Sequence, residues 1–211
     1  MKSSKKRVFY ADFRFDVYAE VYEPAEDTFL VADVLNQTVA EGETVLDVGT
    51  GCGILAIIAS KKAKKVVATD INPHAVECAK ENAEANRASS KMQVRSGDLF
   101  ELISETEKFS LIVFNAPYLP STRSEFRSWK SRAWAGGSTG RKIIDHFIKD
   151  APNHLKSEGR ILLVQSTLSN VKETVRKFRA MGLDAEVIAE KKEAFETIVV
   201  IQASHLSQHS I

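Results

Sequence analysis

Short apolar segments alternate with segments of helical periodicity along most of this chain, and this alternation constrains the fold more than any other feature. The apolar runs predict seven strands, at 44–48, 65–69, 92–96, 110–115, 159–165, 185–189 and 195–203. Helical spacing predicts helices at 24–36, 53–60, 73–86, 143–154 and 168–181. This order is typical of an α/β fold, a mostly parallel sheet with helices on both faces. The last two strands are expected to form an antiparallel pair at the sheet edge.

Length and charge limit the class of protein. The 211 residues suffice for a single domain, and no linker or internal repeat divides them. We expect an N-terminal extension at 1–40 that includes a hairpin at 8–17, a ligand-binding core at 41–203 and a tail at 204–211. The formal net charge of +1 argues against a large nucleic-acid surface, because such surfaces are usually strongly basic.

Features of membrane, secreted and metal-binding proteins are not evident in the sequence. Every apolar run is too short to cross a bilayer, and positions 1–20 lack the apolar stretch of a signal peptide. Cys52 and Cys78 fit no disulfide framework or metal motif, and the five histidines form no ligand cluster. We therefore expect a cytoplasmic protein that holds no metal of its own.

A glycine-rich segment, Asp-Val-Gly-Thr-Gly-Cys-Gly at 47–53, joins the first strand of the core to the next helix. Glycines at this place let the backbone turn tightly and approach a ligand closely. The last glycine comes one residue too early for a pyrophosphate cradle, and Asp47 would repel a phosphate. A carboxylate suits an ammonium group instead, such as that of the methionine half of S-adenosylmethionine. Asp47, Gly49 and Gly51 are therefore candidate cofactor-binding residues.

Acidic residues also follow the next two strands. Asp70 ends the second strand, where a carboxylate can accept both hydrogen bonds from a ribose diol. Asn72 is placed to cap the following helix, which leaves Asp70 available for a ligand. Asp98 follows the third strand and can accept from the adenine amino group, while Leu99 holds the ring. Because parallel strands end at one edge of the sheet, these residues are expected to share one crevice.

The fourth strand ends in Asn115, Ala116, Pro117 and Tyr118, a motif suited to a planar NH2 group. The lone pair of such a nitrogen is delocalised, and two carbonyl acceptors that hold its hydrogens can restore and orient it. The Asn115 side-chain oxygen and the Ala116 backbone carbonyl are candidates for these acceptors. Pro117 stiffens the backbone and removes a competing N–H donor. Tyr118 can stack on the target group. The motif therefore predicts methyl transfer to a planar nitrogen.

Several segments of the chain resemble the HemK-related glutamine methyltransferases, in the short archaeal and eukaryotic branch that lacks the N-terminal helical domain of the bacterial enzymes. The resemblance rests on Val-Tyr-Glu-Pro-Ala-Glu-Asp-Thr-Phe at 21–29, the glycine loop at 47–53, Asp70, Asp98, Leu99, the motif at 115–118, Arg-Ala-Trp-Ala-Gly-Gly at 132–137 and Gly140-Arg141. It implies a seven-stranded, Rossmann-like class I methyltransferase. It also implies that Thr28, and with it Asp27, touches S-adenosylmethionine.

One residue departs from the pattern of this family. The family motif is usually Asn-Pro-Pro-Tyr, and Ala116 replaces its first proline. The role of that position is its carbonyl, which alanine keeps, so we expect activity to survive.

The resemblance also implies a substrate and a partner. The family methylates the glutamine amide in the Gly-Gly-Gln motif of a class 1 translation release factor. Members of this branch work with a small zinc-binding activator protein that pairs with the sheet edge at the third strand, here 92–96. The zinc belongs to that partner. Strand addition of this kind is a recognised way to cover an open sheet edge.

Three other functions remain open from the sequence. Adenine carries an exocyclic amine that suits the same clamp, so an N6-adenine methyltransferase of DNA or RNA is one. Methylation of a protein lysine is another, although an ammonium must first lose a proton and the motif offers no base. An inert cofactor-binding scaffold is the third. Arg123, Arg127 and Arg132 flank the motif, and we interpret them as a solvated loop face, with docking of an acidic substrate surface as the alternative.

Overall fold

The structure, a computed structural model, describes residues 5–122 and 128–205. Its main element is a seven-stranded sheet with the strand order β5-β4-β3-β6-β7-β9-β8. A separate two-stranded sheet consists of β1 and β2. The strands are β1 (Lys5–Tyr10), β2 (Phe13–Tyr18), β3 (Thr44–Val48), β4 (Lys65–Asp70), β5 (Met92–Ser96), β6 (Phe109–Asn115), β7 (Leu155–Ser166), β8 (Leu183–Lys192) and β9 (Thr197–His205).

Helices connect these strands. In the described residues they are α1 (Glu26–Thr38), α2 (Ile54–Ser60), α3 (Pro73–Ala85), α4 (Trp129–Arg132), α5 (Lys142–Asp150) and α6 (Val171–Ala180). Two short 3-10 turns, Ala151–His154 and Thr167–Ser169, flank β7. None of the helices in residues 5–122 and 128–205 is long and apolar enough to cross a membrane.

Both faces of the central strand β6 are covered. Its consecutive residues 111–114 are all buried, whereas a strand with one solvated face would alternate. Phe114 packs against Phe147 of α5, with ring centroids 4.8 Å apart. Helix α1 also contacts β6 and β7, and it packs against α2. The predicted sheet with helices on both faces is confirmed.

The strand directions also agree with the sequence prediction. The strands β3, β4, β5, β6 and β7 pair in parallel. Strand β9 runs antiparallel to both of its neighbours, β7 and β8. The predicted antiparallel pair at the edge is therefore present, with β8 outermost. Strand β5, which the sequence predicts as the third strand of the core, forms the opposite edge.

Element boundaries differ from the prediction where proline or a cap interrupts a helix. Helix α5 stops at Asp150 and continues as a 3-10 turn, because Pro152 in that turn has no N–H for the α-helical ladder. Helix α6 begins only at Val171, since Asn170 has a φ of 59° and accepts a hydrogen bond from the Glu173 backbone as its N-cap. The four-residue helix α4 was not predicted, because its single turn carries no periodic apolar pattern.

The N-terminal hairpin is confirmed and is attached to α3 through side-chain amides. Asn82 donates to the backbone carbonyl of Asp16 (3.0 Å) and accepts from the N–H of Asp16 (2.9 Å). Asn86 makes the same pair of bonds with Arg14. These two side-chain amides make the hydrogen bonds to the backbone of the hairpin edge that a neighbouring strand would make. The division into an extension at 1–40, a core at 41–203 and a tail at 204–211 stays a prediction, and residues 206–211 of the tail lie outside the described residues.

Candidate active site

A cavity opens at the carboxyl ends of β3, β4 and β6. Its volume is about 340 Å³, within the range of roughly 300–1,000 Å³ for small-molecule and cofactor sites. Most predicted site residues line it, namely Thr28, Gly49, Gly51, Asp70, Asp98, Leu99, Asn115, Ala116, Pro117 and Tyr118. Asp47 is the one predicted residue that does not. The structure thus brings the predicted cofactor and acceptor residues to one crevice.

The glycine loop has the backbone that its sequence requires. Gly49 and Gly51 adopt φ angles of 63° and 57°, which residues with a side chain rarely adopt. A Cβ added to Gly51 would meet no protein atom within 4 Å, because the loop borders the open cavity there. A Cβ on Gly49 would lie 3.1 Å from the ring of Phe114. The loop is therefore closed against β6 behind and open to a ligand in front.

Asp47 lies behind the glycine loop, not in the cavity wall. It is 1% exposed, and its Oδ2 atom accepts hydrogen bonds from the Thr50 hydroxyl (2.6 Å) and the Ala56 backbone N–H (3.1 Å). Burial raises the pKa of the Asp47 carboxyl to about 7. In this position the side chain braces the loop and the start of α2. Its Oδ1 atom is buried and has no hydrogen-bond partner among the described residues. Direct contact of Asp47 with a cofactor stays a prediction.

Asp70 reaches the cavity in a fixed orientation. Its carboxylate accepts from the backbone N–H groups of Gly51 (2.9 Å) and Asn72 (2.8 Å). The Asn72 side chain accepts from the His74 N–H and caps α3, as predicted. Asp70 is therefore not the helix cap, and its remaining lone pairs are available to a diol. Burial raises its pKa, an effect that the two backbone donors oppose.

The third acidic position lies at the solvent side of the cavity. Asp98 is exposed, and the next residue, Leu99, is 8% exposed with a φ of 44°. The Thr69 hydroxyl donates to the Leu99 carbonyl at 3.3 Å. This bond ties the loop after β5 to β4 and places an apolar side chain in the cavity wall. The arrangement fits the predicted adenine subsite.

At the acceptor end, the Asn115 side chain is held in one orientation. Its Nδ2 atom donates to Asp27 Oδ2 and to Thr28 Oγ1, each at 3.1 Å. Its Oδ1 atom is buried and has no hydrogen-bond partner in the described structure. A buried acceptor without a partner is rare in folded proteins. The free oxygen lies in a residue of the cavity wall and is available to a ligand NH2 group.

Aromatic hydroxyls surround the same carboxylate. Tyr22 donates to both oxygens of Asp27 at 3.2 Å, and Tyr118 donates to Oδ2 at 3.4 Å. Burial and the neighbouring Asp27 charge raise the pKa of both phenols, so both stay protonated donors. Stacking of Tyr118 on the target group stays a prediction. Thr28, which the resemblance assigns to the cofactor, both lines the cavity and contacts Asn115.

The segment that follows α4 supports the acceptor motif from outside, a role that the sequence did not reveal. The Leu119 N–H donates to the Trp134 carbonyl (3.0 Å), and the Gly136 N–H donates to the Leu119 carbonyl (2.8 Å). A Cβ on Gly136 would lie only 2.6 Å from the Pro117 carbonyl oxygen. The repeated glycines at 136, 137 and 140 were the available signal of this close approach.

Tryptophan side chains complete the outer wall of the cavity. Trp129 and Trp134 both line it, and both are half-buried. The guanidinium of Arg132 lies over the Trp129 ring, 4.7 Å from its centroid. Arg123 and Arg127, the other two arginines near the motif, lie outside the described residues.

Comparison with known proteins identifies the family. The model of the ribosomal protein L11 methyltransferase (PrmA) family matches residues 26–117. A protein of Methanocaldococcus jannaschii, provisionally named a protein N5-glutamine methyltransferase, is 42% identical over 92% of this chain and 96% of its own. This chain belongs to the HemK-related N5-glutamine methyltransferases. Human methyltransferase HEMK2 is 36% identical over 88% of this chain and 90% of its own length.

A solved structure has the same architecture. The Mtq2-Trm112 complex of E. cuniculi, described as responsible for methylation of the eRF1 translation termination factor, matches with a TM-score of 0.71 and 26% identity. The match covers 89% of this chain and 99% of the other. The seven-stranded, Rossmann-like class I methyltransferase fold is thus confirmed.

The cavity fits S-adenosylmethionine, the methyl donor of this family. Asp70 has two backbone donors behind it and free lone pairs in front, as a ribose diol requires. The open side of Gly51 leaves room for the methionine portion. Asp98 and Leu99 would hold the adenine. The chain is therefore an S-adenosylmethionine-dependent methyltransferase.

Replacement of Asp70 by asparagine tests the ribose contact. Asp70→Asn is expected to weaken S-adenosylmethionine binding about 10- to 100-fold, since hydrogen bonds to a charged group contribute about 1.5–3 kcal/mol. Isothermal titration calorimetry measures the change. Asp184→Asn, at an exposed aspartate of β8 outside the cavity, is the control. An unchanged affinity of Asp70→Asn for S-adenosylmethionine would show that Asp70 does not bind the cofactor.

The buried carboxyl of Asp47 predicts a pH dependence of stability. Its folded-state pKa of about 7 lies above the ordinary value of 3.8, so the native state binds the extra proton and loses stability as pH rises towards 7. The free energy of unfolding of Asp47→Asn, compared with the wild type, should therefore increase by about 2–3 kcal/mol between pH 5 and pH 8. Urea unfolding at both values measures this; a difference independent of pH would contradict it.

Close packing at Gly136 predicts a loss of activity on methyl addition. Gly136→Ala would displace the Pro117 carbonyl and is expected to cost about 1–3 kcal/mol of stability and most of the methyl transfer rate. Gly182→Ala is the control, because Gly182 has a φ of 82° but open space around it, so only local strain is expected. Thermal unfolding and turnover are compared; equal effects of the two substitutions would contradict this role for the segment.

Proposed function

We propose that this enzyme transfers a methyl group from S-adenosylmethionine to the side-chain amide nitrogen of the glutamine in the Gly-Gly-Gln motif of a class 1 translation release factor. The observation that carries the proposal is the buried Asn115 Oδ1 atom, which has no hydrogen-bond partner in residues 5–122 and 128–205 and belongs to the cavity wall. Relatives named as N5-glutamine methyltransferases and the eRF1-methylating complex support the choice of substrate.

The acceptor motif supplies orientation rather than a base. S-adenosylmethionine supplies an electrophilic methyl group on a sulfonium. Asn115 Oδ1 accepts one N–H of the glutamine amide, and the Ala116 carbonyl accepts the other, so the nitrogen lone pair is directed at the methyl. Acceptors for both hydrogens also stabilise the positive charge that develops on nitrogen. The proton leaves to solvent once the nitrogen is cationic.

Other acceptors find less support. A nucleic-acid substrate would require a basic surface, and the net charge is +1. A lysine ammonium must lose a proton first, and Asn115, Ala116, Pro117 and Tyr118 provide no base. A neutral primary amide needs neither feature, which favours glutamine.

We further propose that a small zinc-binding activator protein adds to the free edge of β5. This strand is the edge of the seven-stranded sheet, so one side of its backbone is open to pairing. Leu102, packed beside Gly97 at the end of this strand, is 48% exposed. The Mtq2-Trm112 complex supports an activator of this kind, and the β5 edge suits strand addition.

Mass spectrometry tests the proposed substrate. Incubation of a Gly-Gly-Gln release factor with enzyme and S-adenosylmethionine, with and without the activator, is expected to add one methyl to that glutamine. Asn115→Ala should reduce the rate about 100-fold or more, because an oriented hydrogen-bond partner in the transition state contributes at this level. Asn153→Ala, at an exposed asparagine outside this cavity, is the matched control.

A substrate control completes the experiment. A release factor with Gly-Gly-Glu has no side-chain amide nitrogen at the target position and should remain unmodified. Absence of methylation on Gly-Gly-Gln in both arms, with cofactor binding intact, would refute the release-factor assignment. Methylation of lysine or of an oligonucleotide instead would establish the corresponding alternative.

A further inference from the structure

We propose that Asp27 is the positioning residue of this active site: its carboxylate determines which end of the Asn115 amide faces the substrate. The inference rests on the proposed function, since it assigns the origin of the acceptor geometry. Asp27 is the second residue of α1, 88 positions before Asn115 in the chain, and it is 5% exposed.

The orientation of a side-chain amide depends on its surroundings. The oxygen and nitrogen ends of asparagine are nearly equal in size, so hydrogen-bond partners decide which end points where. At Asn115 one end of the amide faces Asp27 and Thr28, while the oxygen end has no partner in the part of the chain that the structure describes. Only the oxygen end can accept a substrate N–H.

A carboxylate enforces the productive orientation because it has no hydrogen to donate. Asp27 Oδ2 lies 3.1 Å from Asn115 Nδ2. The Thr28 hydroxyl donates to Asp27 Oδ1 (3.2 Å), which leaves its lone pairs to accept from Asn115 at 3.1 Å. Both neighbours of the amide therefore accept. Rotation of Asn115 by 180° would place its oxygen against the Asp27 carboxylate, which has no hydrogen to donate, and is therefore disfavoured.

The Asp27 carboxylate is itself fixed by a donor that cannot rotate. The backbone N–H of Thr28 donates to Asp27 Oδ1 at 2.6 Å. Tyr22 donates to both carboxylate oxygens at 3.2 Å, and Tyr118 donates to Oδ2 at 3.4 Å. The Asp27 carboxylate thus aligns both the Asn115 amide, which binds the substrate, and the ring of Tyr118 at the other end of the motif.

The same contacts leave Asn115 Oδ1 without a partner among the described residues, which is unfavourable in the free enzyme. That cost is removed when a substrate NH2 group arrives. The charge-assisted bond from Nδ2 to Asp27 also polarises the amide and makes its oxygen a stronger acceptor. Asp27, which also lines the cavity, therefore acts on the substrate through Asn115.

Asp27→Asn removes this control with almost no change in volume. The fixed Thr28 N–H demands an acceptor, so the new amide oxygen takes the Oδ1 position and its NH2 group faces Asn115. Asn115 then rotates and presents its own NH2 group to the substrate. We expect kcat to fall about 100-fold, a larger factor than any rise in the Kd for S-adenosylmethionine that Asp27, as a cavity-lining residue, brings about. Asp33→Asn, on the same helix with an exposed carboxylate bonded to Tyr10, is the control.

A reciprocal exchange provides the decisive arm. In Asp27→Asn/Asn115→Asp the NH2 group at position 27 again meets an acceptor, and the second oxygen at position 115 faces the substrate. The exchange should recover at least about tenfold of the kcat lost in Asp27→Asn. A residue that only packs, or that only binds the cofactor, gives no such recovery. Failure of the exchange to recover kcat, in a folded variant that binds S-adenosylmethionine, would overturn the proposal, as would a weakened Kd with unchanged kcat.

Nuclear magnetic resonance separates this inference from the proposed function, because it needs no substrate. In ¹⁵N-labelled enzyme, the Asn115 side-chain amide signals are assigned by their loss in Asn115→Asp. They should move strongly in Asp27→Asn and stay in place in Asp33→Asn. Signals that do not respond to Asp27→Asn would refute the positioning role. A response without methylation of the release factor by the wild type would instead refute the substrate.

Discussion

The contact between the first turn of α1 and the carboxyl end of β6 is the constraint on which this active site depends. Strands β3, β4 and β5 build the cofactor side of the cavity, but the acceptor side exists only where α1 meets β6. Apolar packing sets that meeting point, since Val31 and Leu35 of α1 are fully buried. The hydrogen bond between Asp27 and Asn115 then fixes the orientation of the Asn115 amide.

Local patterns in the sequence predict the cofactor side well. The bounds of β3 and β5 agree with the prediction because each is a short strand bounded by turn residues. Asp70 and Asp98 could be predicted to share a crevice because parallel strands end at one edge. Asp47 also lies near a strand end but does not line the cavity, and its Oδ2 atom accepts from Thr50 and Ala56. Sequence position places a residue at a strand end but does not say which way its side chain points.

The acceptor side is harder to predict because its contacts are long-range. Asn115 and its motif carry a local signal, whereas the partners of its amide lie 87 and 88 residues away. Likewise, the approach of Gly136 to Pro117 depends on a parallel bridge between Leu119 and Ala135. Neither helical nor strand periodicity encodes such contacts. The glycines at 136, 137 and 140 indicate a close approach of the backbone to another group, but they do not indicate which group.

The placement of the tryptophans has a practical consequence. The chain has two tryptophans, and both Trp129 and Trp134 belong to the cavity wall. All of the indole fluorescence of the protein therefore originates beside the site where cofactor and substrate meet. The emission of the unlabelled enzyme becomes a local optical probe of occupancy, and stopped-flow recordings can follow the order in which the two ligands enter and leave.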